Sequence, residues 1–126
     1  MQFRSPLGKV RGLGSAKDGT HHWWMQRLTA IALVPLIIWF VVSVIMLIGK
    51  DHAAFKAWAG NPISATLLVI LIAATFHHAQ LGLQVVFEDY VHGEGMKLAC
   101  ILIVKGLALV LAGIGIISVL RIAFGG

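Results

Sequence analysis

Apolar residues fall in three long runs, at approximately residues 28–48, 63–87 and 98–122. Each run reaches the roughly 20 residues that an α-helix needs to cross about 30 Å of hydrocarbon at about 1.5 Å per residue. Basic and small polar residues dominate the stretch before the first run. The pattern therefore predicts an all-α membrane protein with three transmembrane helices, preceded by a basic N-terminal arm over residues 1–27.

The composition agrees with a single membrane domain. The chain has 126 residues, of which 59% are hydrophobic and 12% charged, and its mean hydropathy is +0.91. A soluble domain of this length could not bury so much apolar surface. The three spans use nearly the whole chain, so we expect one membrane anchor domain over residues 1–126. Soluble catalytic machinery would then belong to another polypeptide.

The positive charge indicates orientation rather than nucleic-acid binding. The net charge is +5, but basic and aromatic side chains are not interleaved, and almost no soluble surface remains. In membrane proteins Lys and Arg are enriched in cytoplasmic segments. Five basic residues precede the first run: Arg4, Lys9, Arg11, Lys17 and Arg27. We therefore expect a multi-pass membrane protein whose N-terminus lies in the cytoplasm, or in the matrix if the protein is mitochondrial.

The chain contains one cysteine, Cys100. A single cysteine excludes an intrachain disulfide, a cluster held by four cysteines of this chain, and the C-x-x-C-H attachment of c-type haem. Any haem bound here would be held without a thioether bond.

Two adjacent histidines, His77 and His78, lie near the centre of the second run, where ionisable residues usually have a function. Adjacent helical residues point about 100° apart, so both cannot approach one metal. Ala74 and Gly82, one turn either side of His78, would leave room for a flat macrocycle, whereas Leu81 crowds His77. We therefore favour His78 as a metal ligand and His77 as a hydrogen-bonded structural histidine. An interhelical hydrogen bond is the alternative for His78.

The second run ends in a polar group that includes Asp89 and Tyr90. Asp89 follows His78 by eleven residues, about three turns, so both face the same side about 16 Å apart. A tyrosine hydroxyl can donate a hydrogen bond to a quinone carbonyl, and a neighbouring acid can deliver protons. This predicts a quinone pocket at the membrane surface. The alternative is that Tyr90 only joins an interfacial aromatic belt.

Two further basic residues allow more than one interpretation. Arg27, at the head of the first span, is either a counter-ion for a buried anion such as a haem propionate or a snorkelling arginine at the lipid head groups. Lys105, in the third span, either snorkels or lines a polar cavity, and we assign it no catalytic role.

Small residues recur along the third run, at Ala99, Gly106 and Gly113. Such spacing lets helices pack closely. It predicts either a docking face for a partner subunit or a packing face within the chain.

The segment His78-Ala79-Gln80-Leu81-Gly82 is followed by Asp89-Tyr90, and His21 and Arg27 stand at the head of the first span. In a three-span chain of this size, the pattern resembles the hydrophobic membrane anchor subunit of succinate dehydrogenase, respiratory complex II. The resemblance implies that His78 is an axial ligand of haem b. The cytochrome b556 anchor subunit would supply the other ligand.

The resemblance also implies roles for the remaining residues. Tyr90 would donate to the ubiquinone carbonyl, and Asp89 would belong to the proton path. Arg27 and either His21 or His22 would lie near the haem propionates.

The reaction implied is succinate oxidation with transfer of electrons to ubiquinone, which joins the tricarboxylic acid cycle to the respiratory chain. A flavoprotein subunit would hold FAD, and an iron–sulfur subunit the clusters; this chain performs no succinate chemistry. The alternatives are a purely structural, haem-free anchor, and the anchor of fumarate reductase or a related membrane dehydrogenase.

Overall fold

The computed structural model describes residues 13–125, with side chains from residue 19 onward. This part of the chain contains four helices and no strand: α1 (Leu13–Leu47), α2 (His52–Gly60), α3 (Pro62–Tyr90) and α4 (Glu94–Ala123). Three segments are long and apolar enough to span a membrane: Gly19–Leu47, Pro62–Tyr90 and Glu94–Ala123. The predicted all-α fold with three transmembrane helices is confirmed.

The first helix begins well before the apolar run. It starts at Leu13 rather than near residue 28, and it continues through Pro35 to Leu47. The spanning segment Gly19–Leu47 has 29 residues, or about 43 Å, so it is longer than the hydrocarbon layer and its ends reach the polar interface. The second half of the predicted arm is therefore helical. Residues 1–12, with Arg4, Lys9 and Arg11, and the side chain of Lys17 lie outside the described part.

The segment between the first two spans is not only a loop, because it contains the short helix α2. Asp51 caps the start of α2 by accepting a hydrogen bond from Ala54 N at 2.9 Å. Asn61 ends α2 by donating its N–H to Trp58 O, and its side chain accepts from Ile63 N at 2.9 Å to begin α3. Pro62 fits the first helical position because the missing N–H would have no partner there. Asn61 and Pro62 thus form one junction that ends α2 and begins α3.

Helix α3 packs against α1 and α4. The main buried cluster lies at the end of the bundle away from Tyr90, where Ala59, Ala65, Leu68 and Val119 meet. Large apolar side chains cover the outside; those of Ile31, Leu109 and many others are exposed. Such a surface suits lipid or a membrane-embedded partner.

The close approach between α3 and α4 occurs at Gly115, where a Cβ would lie 3.3 Å from Ile72 Cδ1. A Cβ at Gly106 or Gly113 would meet nothing within 4 Å in the described part. The small residues predicted to form a face at Gly106 and Gly113 therefore do not carry close helix packing inside this chain. Of the two alternatives, the docking face stays a prediction.

Candidate functional site

His78 contacts α1 through one of its two ring nitrogens. Its Nδ1 lies 3.0 Å from Thr29 Oγ1, and Thr29 is buried while His78 is half-buried. The interhelical hydrogen bond considered as an alternative is thus present. It uses only Nδ1, and Nε2 makes no hydrogen bond to the described residues.

His77 is not the hydrogen-bonded histidine that the sequence predicted. Its side chain is exposed and makes no hydrogen bond within the described part of the chain. It points about 100° away from His78, and it lines both the groove between α3 and α4 and a cavity that α1 also borders. The hydrogen-bonded histidine of the pair is His78.

Side chains of this chain pack beside both turns that flank His78. Ala74, one turn before it, is 9% exposed, so that turn is already packed within the chain. At Gly82, one turn after it, a Cβ would lie 3.7 Å from Gln26 Nε2, which is ordinary contact. The room predicted for a macrocycle at these two turns is therefore not vacant; at Gly82 the neighbour is a flexible amide side chain that can move.

A polar cavity of about 560 Å³ lies between α1, α3 and α4, and its lining includes His77 but not His78. The polar residues of the lining include His21, His22, His77, Gln84, Glu88 and Lys105. Lys105 thus lines a polar cavity, one of the two roles expected for it. That the histidines at the head of α1 line the same cavity was not predicted.

A ladder of hydrogen bonds runs along the cavity side of α3. Gln80 Nε2 donates to Gln84 Oε1, and Gln84 Nε2 donates to Glu88 Oε1, each at 3.1 Å. The recurrence of these polar residues every four positions in an apolar helix was a signal that could have revealed the ladder.

The two histidines at the head of α1 differ in burial. His21 is exposed, whereas His22 is half-buried, and among the described residues its buried Nε2 has no hydrogen-bond partner. His22 and Gln26 share the helical face of Thr29, being seven and three residues before it. Gln26 Oε1 is likewise buried and has no partner within the same part of the chain. His22 is therefore the one of the two that lies on the face of α1 that contacts His78.

Arg27 lies on a different face of α1. Its guanidinium stands 5.2 Å from the centroid of the Trp23 ring, a cation–π contact one turn along the helix. Arg27 is two positions before Thr29, which is roughly 200° around the helix axis. The structure does not bring Arg27 together with His78.

Asp89 and Tyr90 form the last two positions of α3. Both are exposed, Tyr90 at 76%, and neither makes a hydrogen bond or ion pair with the described residues. Asp89 lies about 16 Å along the helix from His78 and within roughly 20° of the same direction. One side of α3 thus presents the imidazole of His78 at depth and the carboxyl of Asp89 at the end of the helix, while Tyr90 points about 100° away from Asp89.

The chain matches known proteins over nearly its whole length. Residues 1–115 match the family described as succinate dehydrogenase/fumarate reductase transmembrane subunit. The chain is 36% identical over 103 residues to the succinate dehydrogenase hydrophobic membrane anchor subunit of Rickettsia bellii, covering 82% of both chains. It is 30% identical over 115 residues to the same subunit of Paracoccus denitrificans, covering 90% of this chain and 89% of the relative. No solved structure matches significantly.

Proposed function

Since this chain belongs to the succinate dehydrogenase/fumarate reductase transmembrane subunit family, as a succinate dehydrogenase membrane anchor subunit, we propose that it shares a haem b and forms part of a ubiquinone-reduction site. His78 is the axial ligand contributed by this chain, through Nε2. A cytochrome b556 anchor subunit contributes the other ligand. A flavoprotein subunit with FAD and an iron–sulfur subunit complete the complex and carry electrons from succinate.

The residues around His78 fit a haem group. The observation that carries the proposal is the contact between His78 Nδ1 and Thr29 Oγ1, which leaves Nε2 without a hydrogen-bond partner in the described part of the chain. Metal-bound histidines usually engage their second ring nitrogen in this way. The turn at Gly82 is bounded by the flexible side chain of Gln26. When bound, haem supplies a one-electron carrier beside the quinone site.

Tyr90 and Asp89 suit a quinone site at the end of α3. Reduction of a quinone to a quinol requires two electrons and two protons. The exposed hydroxyl of Tyr90 can donate a hydrogen bond to a quinone carbonyl, and the carboxyl of Asp89 can pass protons from water at the interface. A partner subunit closes the pocket, because this chain leaves both side chains uncovered.

His22 would be the favoured contact for a haem propionate, because its Nε2 is buried and has no hydrogen-bond partner among the described residues. His21 lines the same cavity but is exposed. Arg27 reaches a propionate only by leaving its contact with Trp23, on the other side of the helix.

The complex lies in the bacterial inner membrane with the N-terminus of this chain in the cytoplasm. Relatives from Rickettsia and Paracoccus support the location. The basic residues before α1 support the orientation.

A haem-free structural anchor is the second candidate. One observation favours it: Thr29 already gives His78 an interhelical hydrogen bond. The family description also names fumarate reductase, and nothing in this chain sets the direction of the reaction.

A reduced-minus-oxidised optical spectrum of the purified complex separates these candidates. We expect His78→Ala to abolish or strongly perturb the b-type haem bands. His77→Ala is the matched control, because that side chain is adjacent and makes no hydrogen bond to the described residues; it should retain them. An unchanged spectrum in His78→Ala would refute ligation by His78, and an absence of b-type bands in the native complex would establish the haem-free anchor.

A further inference from the structure

We propose that Thr29 is a positioning residue that sets the tautomer of His78. Its hydroxyl oxygen accepts a hydrogen bond from Nδ1–H, so that Nε2 carries the free lone pair. The inference rests on the proposed role of His78 as a haem ligand. It concerns a residue of α1 that the motif around His78 does not include.

The proton count at Thr29 determines the direction of the hydrogen bond. Its Oγ1 lies 2.7 Å from Met25 O, 3.1 Å from Gln26 O and 3.0 Å from His78 Nδ1. A threonine hydroxyl has one proton and two lone pairs, and a carbonyl oxygen can only accept. The shortest contact, to Met25 O, has the usual length of an O–H···O hydrogen bond. The hydroxyl proton therefore goes to Met25 O, and Nδ1 must be the donor.

This assignment defines the state of the imidazole. A neutral histidine carries one ring proton, so a proton on Nδ1 leaves Nε2 as an acceptor. That is the form in which Nε2 binds a metal. The opposite tautomer would require Thr29 to donate to Nδ1 and to give up its short hydrogen bond to Met25 O.

Thr29 is held firmly enough to impose this choice. It is 9% exposed and lies between α1 and α3. Its side chain is β-branched and therefore restricted at χ1, and its hydrogen bond to the preceding turn fixes the hydroxyl further. The contact thus orients the ring as well as selecting the tautomer. It also increases the basicity of Nε2, because a histidine that donates from its other nitrogen is a stronger metal donor.

The test compares substitutions at position 29 in the purified intact complex. Thr29→Val keeps the shape of the side chain but removes the hydroxyl, and Thr29→Ser keeps the hydroxyl. Thr66→Val is the matched control: Thr66 makes a similar hydrogen bond to Pro62 O at 2.8 Å, but it is exposed and contacts no histidine. The measurements are haem content per flavin, haem affinity and the haem midpoint potential.

We expect Thr29→Val to weaken haem binding about 10- to 100-fold, as for other outer-shell partners of metal ligands. Its midpoint potential should rise, because a less basic imidazole stabilises ferric iron less well. Thr29→Ser and Thr66→Val should match the native complex. Thr29→Ala, which also lacks the hydroxyl, carries the same expectation and replaces Thr29→Val if that complex does not assemble.

The outcomes distinguish this inference from the function on which it rests. Native haem affinity and potential in Thr29→Val, with loss of haem in His78→Ala, would overturn the role of Thr29 alone. Equal defects in Thr29→Val and Thr29→Ser would also overturn it, because packing rather than the hydroxyl would then be responsible. Retention of native haem in His78→Ala would overturn the proposed ligation itself.

Discussion

The Cα of Gly60 lies so close to α4 that a Cβ at this position would stand 3.2 Å from the carbonyl oxygen of Ile122. Gly60 is the last residue of α2, and Ile122 belongs to the last turn of α4. The neighbouring Ala59 is 1% exposed and joins Val119 in the buried cluster. Helix α2 is therefore fixed to the end of the bundle opposite Tyr90.

Gly60→Ala should destabilise the bundle, because the obstructing atom belongs to a helix backbone and moves only with it, so that overpacking costs about 1–3 kcal/mol. Alanine gains roughly 0.5–1 kcal/mol over glycine in a helix, so the net loss should be about 1–2 kcal/mol. Thermal denaturation of the purified complex in detergent would measure the effect. Gly106→Ala is the control, since its Cβ meets nothing within 4 Å in the described part. Equal midpoints for the two variants would contradict the close contact at Gly60.

Asn61→Ala should lower stability by about 1 kcal/mol, because the side chain at the junction of α2 and α3 accepts hydrogen bonds from two otherwise free N–H groups, Ile63 N and Ser64 N. Asn61→Asp keeps the accepting oxygen and should behave like the native chain. The same denaturation experiment tests both. If aspartate were as harmful as alanine, the cap would not be the source of the stability.

Gln84→Leu should destabilise α3 by about 1 kcal/mol, because it leaves the buried side-chain amide of Gln80 without its acceptor. The double variant Gln80→Leu/Gln84→Leu removes both partners and should recover part of the loss. The comparison is again by thermal denaturation of the complex. If Gln80→Leu lowered the stability of the Gln84→Leu variant as much as it lowers that of the native chain, the two amides would not interact.

The membrane spans could be predicted from the sequence because run length alone identifies them. The start of α1 could not, because its first two turns are polar and carry no hydropathy signal. Helix α2 was missed because it has only nine residues. The end of α2 could still be predicted, since Asn61-Pro62 has the local chemistry of a helix junction.

The site could be predicted only where its signal is local. His78 was identified from its depth in an apolar run. The contact of Arg27 with Trp23 could have been predicted from their four-residue spacing. The partner of His78 could not, because Thr29 lies 49 residues away in sequence and the contact depends on the register of two packed helices. The burial of Ala74 was hidden for the same reason.

Tyr90→Phe should impair quinone reduction about 10- to 100-fold, as expected when a hydrogen bond to a group that develops charge is lost. Its hydroxyl has no partner in the described part of the chain and the residue is 76% exposed, so the substitution should not weaken the fold. Succinate oxidation with a soluble electron acceptor should remain unchanged, and so should the haem spectrum. These two measurements are the internal controls for assembly and for the upstream subunits. If Tyr90 serves only as an interfacial anchor, phenylalanine, which keeps the ring, would leave quinone reduction close to native. A parallel fall in both activities would instead place the defect in assembly of the complex.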